Sequence, residues 1–417
     1  MSQLGLGLNL SKTKGGVVPF NPLSLDPYLL FDTQSSMIGT FENPTLDLDP
    51  SKPDTLNVIT ATRAGVATYT DAAGVIQSAS ADTVRIDHVD GVPMILVEPS
   101  ATNLVPYSED FSHNSWYAFP NISLIDKDSI ASPADTQTGN KIILGNGETR
   151  GQLRFSSTDR GGATNPIVEY TLEGDGIFSI VTPLPTGGEA SIVAVENGWY
   201  RCSLYDSTAD QTLSVYAKAG ELNVIQLQFY QSQRNIYPKG NGDNTSGLYL
   251  WGAQLEGGSV ATSYIPTSGS TVTRAADDLV ISGSDFTNFY NQSEGTIYTE
   301  TVARSSATSY LFMLIGVSSA NYVFWNGAGQ VKIKTAGVDQ VNTSIGSIPL
   351  NSLARAAISY KENDFLGSVN GGAEVIDNSV LVPTVNNLQI GAYYTNTGHL
   401  NGHIKRLIYW PYHSDSL

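Results

Sequence analysis

One cysteine in 417 residues, Cys202, is too few for an intrachain disulfide or a cysteine-rich metal centre, and its neighbours in GWYRCSL read as a buried strand. Positive charge is scarce too. Against 39 Asp and Glu stand 22 Lys and Arg, a net charge of −17, which excludes a chain built to neutralise a nucleic-acid backbone. The best apolar run, Tyr310 to Val317, falls far short of the roughly 20 residues of a membrane helix, so no membrane insertion is expected. The opening MSQLGLGLNLSKTKGG has no unbroken apolar core and carries its lysines after the apolar residues, unlike a secretory signal. Helical periodicity is nearly absent, and no fixed-period repeat or heptad seam is found.

What is present is period-2 alternation rich in Val, Ile, Thr and Tyr between Gly, Asn, Asp and Ser clusters. In Val224 to Tyr230, Ile225, Leu227 and Phe229 share one face and Gln226, Gln228 and Tyr230 the other. The expected fold class is all-β: an extended or irregular N-terminal region, then two antiparallel sandwiches, the first a jelly roll. Composition sets the expected domains at residues 1–99, 100–273 and 274–417. The first is Pro- and Asp-rich and opens with an apolar LGLGLNL run; small residues in Pro266 to Ser270 mark the last boundary.

Several stretches resemble virion proteins of tailed bacteriophages. They are Thr62 to Ala79 (TRAGVATYTDAAGVIQSA), Arg85 to His88 (RIDH), Ile95 to Asn103 (ILVEPSATN) and Leu104 to Phe111 (LVPYSEDF). Asn197 to Cys202 (NGWYRC), Ser214 to Gly220 (SVYAKAG), Leu248 to Thr267 (LYLWGAQLEGGSVATSYIPT) and Val272 to Asp277 (VTRAAD) resemble the carbohydrate-binding-module-like jelly roll of the same proteins. Gly295 to Glu300, Arg355 to Asp364 and Leu400 to Pro411 look like a laminin-G or concanavalin-A-like sandwich. The resemblance implies a virion location, assembly in the host cytoplasm, attachment to other virion proteins through the N-terminal region, a homotrimer and contact with a host-surface glycan. A tail-fibre or tail-tip receptor-binding component is the first expectation. A capsid or collar fibre, or a polysaccharide depolymerase with an inter-subunit site, is the alternative.

No nucleophile elbow, Walker loop, HExxH helix or laminarinase-like carboxylate strand occurs, so no enzyme activity and no cofactor are expected. His399 and His403 have zinc-like spacing, but the glycines of GHLNGH argue against a helix and for a turn. Glu109, Asp110 and Glu256 are weak candidates for a structural calcium, and Asn241, Asp243 and Asn244 form another oxygen-rich loop. Sugars present C–H faces that stack on Tyr rings while amides and acids fix their hydroxyls. On that basis Tyr230, Gln233, Arg234 and Tyr237 in the middle region, and Tyr393, Tyr394, Asn396 and His399 in the last, are candidate glycan contacts. The five tryptophans fall in strand patterns and are expected in the core.

Overall fold

The computed structural model describes residues 43–156, 165–304 and 309–417, so the first 42 residues of the expected attachment region lie outside the described residues. The chain is all-β, with antiparallel strands in four large sheets. Helix among the described residues is limited to Gly283–Thr287 and two short 3-10 turns. None is long and apolar enough to cross a membrane.

One sandwich pairs an eight-stranded with a seven-stranded sheet. Its central strand, Gly402–Trp410, runs along Glu294–Ala303 on one edge. The other edge is divided: Leu46–Leu48 lies opposite Leu407 to Tyr409, and Val92–Val97 opposite Gly402 to Ile404. Thr60–Thr62 likewise closes the seven-stranded sheet beside Asp278–Ser282. Much of the stretch expected as an attachment region therefore supplies strands to the sandwich expected from residue 274 onward. The cause is burial: Leu48, Ile95, Val97, Ile297, Phe312, Leu314, Leu388, Ile390 and Ile404 fill one core, each 2% exposed or less. Covering one such side chain stabilises by about 1.5–3 kcal/mol.

The second sandwich, a jelly roll of two six-stranded sheets, occupies residues 117–257. It is an insertion, because the chain leaves the first sandwich through Ala101–Asn103 and returns through Val272–Arg274, and these two strands pair. Its core contains Ile225, Leu227 and Phe229, the inward face expected from alternation, with Cys202 and Val215.

A buried ionic cluster closes this neck. Arg63 pairs with Asp277 at 2.9 Å, Arg85 with Glu98 at 2.8 Å and with Asp277, and Arg274 with Glu98 at 3.4 Å, all with side chains at most 2% exposed. Glu98 also accepts from the Ser263 amide and hydroxyl, both at 2.7 Å. Burial alone would raise its pKa, but Arg274 and Arg85 overrule this and hold the carboxyl far below its ordinary range. The hairpin Ala67–Thr70 and Ile76–Ala79 then braces the jelly roll, placing Ile76 against Trp199, Tyr216, Trp251 and Tyr264. Its turn residue Gly74 has φ +75°, and a Cβ there would stand 1.8 Å from Glu196 Cγ, so only glycine lets the hairpin seat.

Candidate functional site

The jelly-roll sheet containing Val224–Tyr230, Gln233–Lys239, Leu153–Ser156 and Tyr117–Ala118 turns Ile225, Leu227, Phe229, Ile236, Leu153 and Phe155 inward. The pleat must then turn Gln226, Gln228, Tyr230, Gln233, Asn235, Tyr237, Arg154 and Tyr117 to the opposite face, where Gln226, Asn235 and Tyr237 are covered by their neighbours. Register aligns Tyr117, Arg154, Asn235 and Gln228 in one row across four strands, with Tyr237, Gln226 and Glu169 in the next.

These side chains form two hydrogen-bonded groups. Tyr237 Oη donates to Gln228 Oε1 at 2.6 Å, Asn235 Nδ2 donates to the same oxygen at 3.3 Å, and Gln152 Nε2 donates to Asn235 Oδ1 at 2.9 Å. Gln226 Nε2 donates to Glu169 Oε2 at 2.8 Å, and Lys239 pairs with the same carboxylate. The Lys239 hydrogen bond is the main reason the Glu169 pKa is lowered. Arg154 lies 4.7 Å from the Tyr117 ring centroid and 5.2 Å from that of Phe119, and Arg150 lies 4.2 Å from that of Tyr237. Burial raises the Tyr237 pKa, with Arg150 and Arg154 opposing, so the phenol stays a hydrogen-bond donor. Tyr117 is 52% and Tyr230 38% exposed, leaving two rings open to solvent beside fixed amides and guanidiniums. Arg154 Nε is buried with no hydrogen-bond partner. Such a surface can stack a sugar ring and bond its hydroxyls, and three cations against Glu169 favour an anionic group.

Of the residues singled out from sequence, Tyr230, Gln233 and Tyr237 share this face. Arg234 does not: alternation turns it inward, where it stacks on Phe229 at 4.4 Å and donates to Gln211 Oε1 at 2.5 Å. Sequence reasoning missed Tyr117, Arg150, Arg154, Gln226, Gln228 and Asn235 as a group, because separate strands bring them together.

The second expected cluster lies in the other sandwich. Tyr393 packs between Tyr310 and Tyr394, with centroids 4.9 and 4.6 Å away, and burial pushes its pKa up to about 12. Tyr394 is 38% exposed, while His399 is buried and bonded to Asn396 Oδ1 at 2.8 Å. His403 takes a different partner, Asp87 Oδ2, at 2.8 Å. Each calcium candidate also has its own partners. Glu109 accepts from Tyr264 Oη at 2.9 Å, and Asp110 pairs with Lys127 at 2.8 Å. Glu256 accepts from Thr262 and Gln254, and burial raises its pKa. Asp243 caps its own turn by accepting from Thr245 and Ser246. All five tryptophans are at most 4% exposed.

No protein-family model and no curated protein matches the chain. Among solved structures it is similar to the carbohydrate-binding module CBM40 of a Ruminococcus gnavus sialidase bound to sialyllactose, with 14% identity and a TM-score of 0.26, covering 30% of this chain and 80% of that one. It is similar to domains LG4-5 of the mouse laminin α1 chain, with 9% identity and a TM-score of 0.23, covering 63% and 86%. It is similar, too, to a Trypanosoma rangeli sialidase, with 8% identity and a TM-score of 0.26, covering 85% and 97%. That last likeness corrects one expectation: with a sialidase among the similar structures, absence of enzyme activity is not retained as a property of this chain. Scores this low equally assign it no activity.

Proposed function

We propose that the protein is a glycan-binding component of a phage virion, and that the outer jelly-roll face recognises a host-surface glycan carrying carboxylates. The observation that supports the binding reading is that face: exposed Tyr117 and Tyr230 beside an amide network and ring-stacked Arg150 and Arg154, on a chain of net charge −17. The virion reading rests on the resemblance of the TRA, ATYTD, WGAQLEGGS and SYIPT stretches. A tail-fibre or tail-tip position, a trimer of 44.5 kDa chains and attachment through the N-terminal region belong to this reading.

Affinity electrophoresis through gels carrying a polyuronate, a sialylated polymer or neutral dextran tests it. Retardation is expected in an acidic gel and not in dextran. Arg154→Ala, which removes a ring-stacked cation from a half-exposed site, should cut retardation about tenfold or more without unfolding the chain. Equal mobility in all three gels would refute the binding reading.

A further inference from the structure

The segment Pro411–Leu417 folds back against the eight-stranded sheet. Thr296 Oγ1 donates to the Tyr412 carbonyl at 2.8 Å, the Ser414 amide to Ser359 Oγ at 2.7 Å, and the Leu417 amide to Glu374 Oε1 at 2.6 Å. This course carries the His413 side chain to 2% exposure. Both ring nitrogens are buried there with no hydrogen-bond partner. Leaving buried polar atoms unmatched is costly, and buried polar side chains are nearly always satisfied.

The imidazole faces carboxylates. Nε2 lies 3.5 Å from Asp364 Oδ1 and Nδ1 lies 3.5 Å from Asp415 Oδ1. These separations are too long for charge-assisted hydrogen bonds of about 2.8 Å. An imidazole gives one nitrogen to a given ion, and the 3.5 Å from Nε2 to Asp364 Oδ1 is close to the roughly 3.3 Å between neighbouring donors in a tetrahedral shell with metal–ligand bonds near 2.0–2.1 Å. One ligand atom from each of Asp364, His413 and Asp415 lies within 4.8 Å of the others. Glu294 adds nearby negative charge, its Oε2 accepting the His413 amide at 3.2 Å. Lys361 Nζ stands 3.2 Å from Asp364 Oδ2 and 3.7 Å from Asp415 Oδ1, so a cation already occupies the mouth of the cluster. At 40% exposure its side chain is free to swing into solvent.

We propose that Asp364, His413 and Asp415 bind a divalent transition-metal ion of the zinc type. One imidazole with carboxylate oxygens suits zinc and its neighbours, whereas calcium selects all-oxygen shells. Water completes the shell. The bound ion pins Pro411–Leu417 to the hairpin formed by Leu353–Lys361 and Asp364–Val369, and the Lys361 ammonium competes with it for the same carboxylates.

The test is calorimetric titration of the EDTA-stripped full chain with ZnCl2 at pH 7.5, beside melting curves with and without zinc. One saturable site and a higher Tm are expected, with both lost in His413→Gln. Asp415→Asn should weaken binding at least tenfold; its side chain is 94% exposed, so this variant decides the matter even if His413→Gln fails to fold. Lys361→Met should bind zinc more tightly than the parent chain. Absence of saturable binding, parental zinc affinity in Asp415→Asn, or weaker binding in Lys361→Met would each overturn the assignment, as would a site filled by CaCl2 and not by ZnCl2.

Discussion

Glu98 shows how one carboxylate can organise two sandwiches. It sits with no exposure between Arg85 and Arg274, and its own amide donates to Asp277 at 2.9 Å. Removing one partner from such a group leaves buried charge unmatched, a loss of about 3–5 kcal/mol. Glu98→Gln should therefore lower unfolding free energy by about that amount at pH 7 in urea denaturation. The pH dependence has a definite sign. The folded carboxyl titrates below the ordinary 4.5, so its stabilisation is present above that pH and is lost as the pH falls through lower values. The gap between parent and variant should thus narrow steadily below about pH 4.5, and a gap that stays constant to pH 3 would contradict this role. In the sequence, Arg63, Arg85, Glu98, Arg274 and Asp277 were visible only as parts of TRA, RIDH, VEPS and TRAAD. Nothing in their spacing told that they meet, because ion pairs 192 and 214 positions apart leave no local pattern.

At the scale of elements, alternation was the readable signal, since a pleated strand with one dry face must place apolar residues at every second position. It put Ile225, Leu227 and Phe229 inward, where the structure has them. Edges are a different matter, because whether a strand is central or terminal depends on neighbours the strand does not encode. Ile177–Thr182 ends one six-stranded sheet, and Ile177, Phe178, Ile180 and Val181 are between 42% and 59% exposed. The strand contains no charge and no proline, the residues that usually blunt an exposed edge. It is therefore the element expected to associate edge to edge with another copy. Ile180→Lys should hold the light-scattering mass at one 44.5 kDa chain over concentrations at which the parent associates, with folding stability within about 0.5 kcal/mol of the parent. A variant that associates as the parent does would exclude this edge.

For the whole molecule, the decisive fact is the insertion of the jelly roll between two parts of the other sandwich. Domain boundaries drawn from composition run along the chain, whereas Gly402–Trp410 takes its neighbours from residues 46–48 and 92–97. Loop-closure entropy grows slowly with length, so such distant pairing costs little more than a shorter closure and leaves no trace in composition. The jelly roll in turn depends on what precedes it. Ile76 donates its amide to the Pro133 carbonyl at 2.9 Å and covers a cluster of Trp199, Tyr216, Trp251 and Tyr264, while Thr68 Oγ1 bonds the Tyr264 carbonyl at 2.5 Å. Residues 100–273 produced alone would lose the hairpin, exposing this aromatic cluster, and would lose Glu98, leaving the Ser263 amide and hydroxyl without their acceptor. Residues 43–417 keep both. The isolated module should then bind a hydrophobic dye, show red-shifted tryptophan emission and unfold at lower urea than the same residues within 43–417. If the two match in all three measurements, the hairpin and neck are dispensable to the jelly roll, and the motifs that join them serve the other sandwich alone.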